Sequence, residues 1–178
     1  MAIVFQYGSN MSTARLNDPG RLAGDAKFIG VARTSAPYNL AFTVWSKGNS
    51  CAAADLVPSD VGRAIYGVMY DIPDFLISRD TAKAKSRKSM DQIEGEGGNY
   101  ERVEIDLITN DSMVVRAITY LVRDRKPNLK TSFAYAQHIL NGIREHGMPE
   151  EYFSYALDQI LTNNPALGDP LRERYGNA

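Results

Sequence analysis

The sequence of 178 residues contains one cysteine, two histidines and almost no net charge. The lone Cys51 excludes an intramolecular disulfide and a cysteine metal cluster. A formal charge of −1 gives no reason to expect a nucleic acid or an anionic membrane as a partner. No apolar run approaches the roughly 20 residues that span a bilayer. We therefore expect a reduced, cytoplasmic protein that binds neither nucleic acid nor membrane.

The chain also lacks repeats, low-complexity tracts and linkers, so we expect residues 1–178 to form one domain. The run from Met1 to Tyr7 is apolar, has no basic flank and is too short for a signal peptide, which favours a first strand. At the other end, residues 170–178 are polar and are predicted to fray. The sequence leaves a homodimer open.

Strand-forming residues dominate the first part of the chain. Ala2 to Gln6 is typical of a buried strand, and a short helix through Leu16 is predicted after it. β-branched and aromatic residues then recur between turn residues, which indicates further strands. These strands are predicted over 27–45 (two strands, divided at Pro37), 51–57 and 64–72.

The second part mixes helices with two more strands. From Pro73 to Ile93 the composition is helical, and it ends at a glycine-rich loop. Periodicity then predicts a half-exposed strand, a more buried strand and two amphipathic helices. These cover 102–107, 113–122, a helix from near Ser132 to Gly147, and a helix whose first turn includes Pro149. The sum is an α+β fold, a curled sheet or small mixed barrel flanked by helices.

A candidate binding turn, Tyr7-Gly8-Ser9-Asn10-Met11, follows the first strand. A buried strand that runs into Gly-Ser-Asn exposes successive backbone N–H groups, and the next helix adds its positive end. Such a turn binds a carboxylate, a phosphate or a developing oxyanion. A plain strand-to-helix turn explains the same residues, and turns outnumber anion sites. Ser9 lacks a Gly-x-Ser-x-Gly elbow and is not interpreted as a nucleophile.

The candidate acid–base residue is Glu94, where the predicted helix ends and the glycine loop begins. A carboxylate at the negative end of a helix is disfavoured as an anion, so its pKa rises if it is also buried. A raised pKa suits a group that takes up a proton and returns it near neutrality. A solvated loop glutamate is the alternative, and we prefer that interpretation for Glu96.

For the other polar and aromatic residues we expect positions at the surface or in the core, without a role in catalysis. His138 and His146 do not form a recognisable metal pair and are expected at the surface. Cys51 and Trp45 are expected to pack in the core. No metal or nucleotide signature is present, so no metal ion is predicted.

Together and in this order, the two candidate segments resemble the γ-glutamylcyclotransferase-like (AIG2-like) family. That family joins a Tyr-Gly-Ser-Asn turn to a later Glu-Gly pair, which is followed by a tyrosine and a strand. The matching residues here are Tyr7-Gly8-Ser9-Asn10, Glu94-Gly95 and Tyr100. The resemblance continues through 64–70, Tyr135 and Gly147-Met148-Pro149, and spans about residues 3 to 160.

The resemblance implies a helix-flanked barrel and a reaction that needs neither metal nor cofactor. The α-amino group of a γ-glutamyl compound attacks its own γ-carbonyl, and 5-oxoproline and an amine are released. Glu94 would move the protons, the binding turn including Met11 would hold the substrate, and Tyr100 and Tyr135 would form pocket walls. Substrates of the family include γ-glutamyl amino acids, γ-glutamylamines, glutathione-derived conjugates and γ-glutamyl-protected antibiotics.

Two other functions stay open from the sequence: a non-catalytic small-molecule binding module, and an amidase-like or acyl-transferring variant on the same fold. A further question concerns a basic segment that departs from the family pattern by its length. We prefer a solvated helix face for it, and a basic rim that attracts an acidic substrate is the alternative. Its basic residues are Arg79, Lys83, Lys85, Arg87 and Lys88.

Overall fold

The computed structural model describes residues 1–176 and confirms the predicted α+β class with a small barrel. Short 3-10 turns at Ser9–Met11, Asp74–Leu76 and Pro165–Leu167 connect the main elements. The strands are β1 (Ala2–Gln6), β2 (Lys27–Thr34), β3 (Tyr38–Ser46), β4 (Cys51–Pro58), β5 (Tyr66–Ile72), β6 (Tyr100–Thr109) and β7 (Val114–Val122). The helices are α1 (Thr13–Leu16), α2 (Arg79–Lys83), α3 (Met90–Glu94), α4 (Phe133–Glu145), α5 (Glu150–Asn163) and α6 (Gly168–Tyr175).

The barrel closes in the order β1-β5-β2-β6-β7. Neighbouring strands are antiparallel except where β7 meets β1, at Val4 and Ile118. Closure removes the sheet edges, and β1 lies between two partners with Val4 and Phe5 fully buried. Strands β3 and β4 pair separately, and every residue of β4 from Cys51 to Leu56 is buried. Because β1 is fixed in the core, the binding turn that follows it also begins at a fixed position.

Gly67 in β5 lets β1 and β5 approach closely. A Cβ atom there would lie 2.4 Å from the Gln6 carbonyl oxygen and 2.6 Å from the Phe5 ring. We expect Gly67→Ala to lower the free energy of unfolding by about 2 kcal/mol in urea titration, because the backbone of β1 cannot retreat. Gly30→Ala in β2 is the matched control, since its Cβ would meet only the flexible end of Met69 at 4.0 Å. Equal losses in the two variants would contradict the steric argument.

The segment predicted as helical from Pro73 to Ile93 is broken into short pieces. Ser78 and Ser89 accept hydrogen bonds from the Thr81 and Gln92 N–H groups, so each begins a new helix. Between these helices Ser86 has a positive φ of 53°, a backbone conformation that a continuous helix excludes. Two of the helices in this region, α2 and α3, are each five residues long.

Several predictions for single residues and for the end of the chain were wrong. The frayed segment predicted over 170–178 is helical as far as Tyr175, because Leu171 is fully buried in the core; residues 177 and 178 lie outside the described part. Trp45 is 44% exposed instead of packed in the core, whereas Cys51 is buried as predicted. The His146 side chain is only 6% exposed, because its ring stacks on Phe28 at a centroid distance of 4.9 Å.

Among residues 1–176, no helix combines the length and the apolar character needed to cross a membrane. That residues 1–178 form one domain stays a prediction.

Candidate active site

Two adjoining cavities bring most of the predicted site residues together. The inner cavity lies where the binding turn, α3, β4 and β7 meet. It is lined by Gln6, Tyr7, Gly8, Ser9, Asn10, Ala54, Glu94, Tyr100, Thr119, Tyr120 and Tyr135. The outer cavity shares Ser9, Asn10, Glu94, Tyr100 and Tyr135 with the inner one. Glu94 therefore lies where the two spaces join.

Glu94 is positioned by a short helix with a defined start and stop. At the start of α3, Ser89 and Gln92 form a reciprocal capping box. At its end, Gly95 takes the left-handed conformation (φ 74°), which glycine adopts without strain. The Gly95 N–H and the Glu96 N–H both donate to the Asp91 carbonyl, so the chain turns immediately after Glu94. The Glu-Gly pair thus places one carboxylate at the cavity junction.

Asn10 contacts the Glu94 carboxylate, and Arg21 in turn contacts Asn10. Asn10 Nδ2 donates to Glu94 Oε1 (2.8 Å), and Arg21 Nη1 donates to Asn10 Oδ1 (2.8 Å). Because a guanidinium can only donate, it fixes the Asn10 oxygen toward Arg21 and the Asn10 NH₂ toward Glu94. Burial raises the pKa of Glu94, while Asn10, Arg21 and Gln6 oppose that rise. The rise expected from the sequence is present, with burial as its largest cause.

The binding turn offers unused backbone donors beside this carboxylate. The Met11 N–H closes the turn by donating to the Gly8 carbonyl (3.1 Å). Within residues 1–176, the N–H groups of Gly8, Ser9 and Asn10 donate to no acceptor. Gly8 is tightly packed, since a Cβ there would lie 3.3 Å from the Ala54 side chain and that neighbour would have to move slightly. The turn can therefore present several N–H groups to a bound oxygen.

Three tyrosines form walls of the inner cavity, and the hydroxyl group of each already has a hydrogen-bond partner. Tyr100 donates to the Ala54 carbonyl (2.8 Å), and the Ala54 N–H donates to the Tyr135 hydroxyl (3.1 Å). The Tyr7 hydroxyl donates to the Tyr120 carbonyl (2.7 Å). Burial raises the pKa of all three tyrosines, which keeps their hydroxyls protonated. The Tyr100 bond attaches β4 to the barrel, the Tyr135 bond attaches β4 to α4, and all three bonds shape the inner cavity.

Met11 is the one predicted binding residue that lies outside both cavities. Its side chain is fully buried and packs against α4. At that contact a Cβ on Gly142 would lie 2.8 Å from the Met11 Cβ, so Gly142 permits the close approach. The position of Met11 indicates a packing role that holds the binding turn against α4.

The basic segment does not line either cavity. Arg79 donates to the carbonyls of Asp91 and Glu96, and Arg87 forms an ion pair with Asp25 (2.6 Å). Lys83, Lys85 and Lys88 are exposed, as a solvated face requires. Neither a plain solvated face nor a basic rim describes the segment fully, because its two arginines make structural contacts.

The sequence-based interpretation missed the basic residues that do face the outer cavity, Arg15, Arg21 and Lys47. It also missed Gln6 and the buried Asp91. Gln6 carried a usable signal, since it is a polar residue that ends an otherwise apolar strand. The two arginines follow the binding turn closely in sequence, but only the fold shows that their side chains return to it.

The described fold is a helix-flanked barrel with a half-buried glutamate beside a glycine-containing turn. Residues 64–155, more than half of the chain, match the AIG2-like family. The chain therefore belongs to the AIG2-like family, and the predicted family relationship is confirmed.

Solved structures share this fold. A structure named "Gamma-glutamyl cyclotransferase" has a TM-score of 0.69 and 23% identity, with 87% of this chain and 85% of that chain covered. The human uncharacterized protein loc79017 has a TM-score of 0.70 and 25% identity, with the same coverage of 87% and 85%. YkqA from Bacillus subtilis has a TM-score of 0.69 and 20% identity, and the match covers 89% of this chain but 54% of that one. The chain thus has a cyclotransferase-type fold.

No curated protein matches the sequence.

Proposed function

We propose that the protein is a γ-glutamylcyclotransferase that converts a γ-glutamyl amino acid, peptide or amine to 5-oxoproline and the free amine. The observation that carries this proposal is the position of Glu94, a carboxylate of raised pKa that shares a cavity with the unused N–H groups of the binding turn. Membership of the AIG2-like family and the cyclotransferase-type fold support it. We place the reaction in the cytoplasm because of the chain's low cysteine content.

The proposed reaction begins with the removal of a proton from the substrate. The α-ammonium group gives one proton to Glu94, and the resulting amine attacks the γ-carbonyl carbon of the same molecule. A new C–N bond forms and the carbonyl electron pair moves to oxygen. The N–H groups of Gly8, Ser9 and Asn10 would stabilise that oxyanion, and a donor of this kind typically lowers a barrier by about 3 kcal/mol.

The second half of the reaction returns the proton. The ring nitrogen carries one surplus proton after its attack and passes it to the departing nitrogen as the carbonyl re-forms within the five-membered ring. Glu94 gives that departing nitrogen its own proton, the original amide C–N bond breaks, and the amine leaves as an ammonium ion. One carboxyl group can do both because burial brings its pKa closer to neutrality. Ring closure is intramolecular, so the inner cavity has mainly to hold the glutamyl chain bent.

The test is release of 5-oxoproline from a panel of γ-glutamyl compounds, measured by chromatography. The panel includes γ-glutamyl-alanine and N-glutaryl-alanine, which lacks only the α-amine. We expect turnover of the first and none of the second, because cyclisation needs that amine. Hydrolysis of N-glutaryl-alanine would support the amidase alternative. No turnover of any γ-glutamyl compound would favour a binding module.

A further inference from the structure

The outer cavity carries an excess of positive charge. Arg15, Arg21 and Lys47 line it, and Glu94 is the only acidic residue in its lining. Glu94 already accepts from Asn10 on the inner side. A space with this charge favours an anionic ligand group.

Arg15 and Arg21 lack a carboxylate partner in the described part of the chain, unlike five other arginines. Five arginines form ion pairs: Arg87, Arg102, Arg116, Arg125 and Arg172. Within residues 1–176, neither Arg15 nor Arg21 has a carboxylate oxygen within 4.0 Å. Both are partly buried. Two unneutralised cations partly removed from water are costly, and a bound anion would offset that cost.

Neutral contacts hold Arg15 in place. Its Nη2 donates to Asn49 Oδ1 (3.0 Å), and its Nη1 lies 3.2 Å from His138 Nε2. Its Nε is buried and has no hydrogen-bond partner in the described residues. Burial, followed by the charge of Arg21, lowers the pKa of Arg15. The guanidinium is thus oriented by its neighbours and retains an unused donor.

The arrangement of the two cavities decides which part of a substrate meets these arginines. The γ-carbonyl must lie beside the binding turn, so the glutamyl group occupies the inner cavity, which neither arginine lines. The departing nitrogen must lie within reach of Glu94, at the junction. Substituents on that nitrogen therefore extend into the outer cavity, toward Arg15 and Arg21.

We propose that Arg15 and Arg21 bind a carboxylate on the group that is released, so that the preferred substrates are γ-glutamyl amino acids or peptides instead of γ-glutamylamines. This inference rests on the proposed cyclotransferase function. It assigns the arginines a role in specificity, separate from the proton transfers of Glu94.

The first measurement compares kcat/KM of the wild type for γ-glutamyl-alanine and γ-glutamyl-alaninamide, which differ only in the charge of the released group. We expect at least a ~10-fold preference for the acid, because hydrogen bonds between charged groups are about twice as strong as neutral ones. The second measurement repeats the comparison with Arg15→Gln. Arg15 is changed instead of Arg21 because the Arg21 side chain also donates to Asn10, so that its loss would remove more than a positive charge. Arg172→Gln, which changes an exposed side chain of α6, controls for loss of a positive charge.

We expect Arg15→Gln to reduce the acid-over-amide preference to about twofold, with no such change in Arg172→Gln. Equal kcat/KM of the wild type for both compounds, with 5-oxoproline released, would overturn the inference and leave the proposed function standing.

A third compound, the α-carboxamide of the glutamyl group in γ-glutamyl-alanine, tests the substrate's other carboxylate. If Arg15→Gln removes discrimination against this compound instead, the arginines bind the glutamyl carboxylate and the inference is wrong. No 5-oxoproline from any compound would contradict the proposed function and this inference with it.

Discussion

Glu94→Gln is expected to lower the rate of 5-oxoproline release by about 10³-fold, within the range of a lost general acid–base group. Glutamine keeps the shape of the side chain and an oxygen that can accept from Asn10, which now donates to Glu94 Oε1 at 2.8 Å. It cannot take a proton from the α-ammonium group or return one to the departing nitrogen. The measurement is kcat by chromatographic detection of 5-oxoproline. A fully active Gln variant would show that Glu94 is not the acid–base residue.

The control for this variant is its stability at two pH values. Because burial raises the pKa of Glu94, the folded protein binds this proton more tightly than the unfolded chain does. The stability that protonation supplies is complete below the ordinary glutamate pKa of about 4.3 and is lost as pH rises through the raised pKa. We therefore expect equal melting temperatures for wild type and Glu94→Gln near pH 4, and a variant at least as stable as wild type near pH 8. A less stable variant near pH 8 would indicate a folding defect instead of a lost proton carrier.

The parts of the site that sequence patterns predicted are those whose position depends on neighbours in the chain. Gly95 ends α3 directly after Glu94, and the binding turn follows β1 without an intervening loop. Such features leave a local signature in residue type and spacing. The strands were predictable for the same reason. Apolar and charged residues alternate along β6, and β4 is a nearly continuous apolar run.

What the sequence could not predict depends on contacts between distant segments. Arg21 reaches Asn10 only because the chain after α1 folds back across the binding turn. His146 was expected at the surface, but its Nε2 lies 2.9 Å from the Met11 carbonyl oxygen and its ring covers Phe28. No periodicity encodes these contacts, because each joins elements far apart in the chain. The break of the 73–93 region into short helices is a different case, since Ser78 and Ser89 begin new helices through contacts with residues three positions on. The spacing of Ser89 and Gln92 is a local signature of a helix start that the sequence-based interpretation missed.

The buried carboxylate of Asp91 connects α3 to the barrel. Its oxygens accept from Arg102 Nη1 (3.0 and 3.1 Å) and from the Tyr120 hydroxyl (2.8 Å). The carbonyl of Tyr120 in turn accepts from the Tyr7 hydroxyl (2.7 Å). Asp91 thereby links the helix that carries Glu94 to the turn that would bind the substrate.

We expect Asp91→Ala to lower the free energy of unfolding by about 3 kcal/mol, the lower end of the cost of breaking a buried ion pair. The lower end applies because the Arg102 side chain, 37% exposed, regains water, whereas the buried Tyr120 hydroxyl loses its acceptor. Urea titration measures the loss. Asp106→Ala is the matched control: its pair with Arg116 is exposed, so its urea midpoint should not change measurably. A similar midpoint for both variants would show that the Asp91 contacts do not hold α3 against the barrel, and the link from Glu94 to the binding turn would then depend on Asn10 alone.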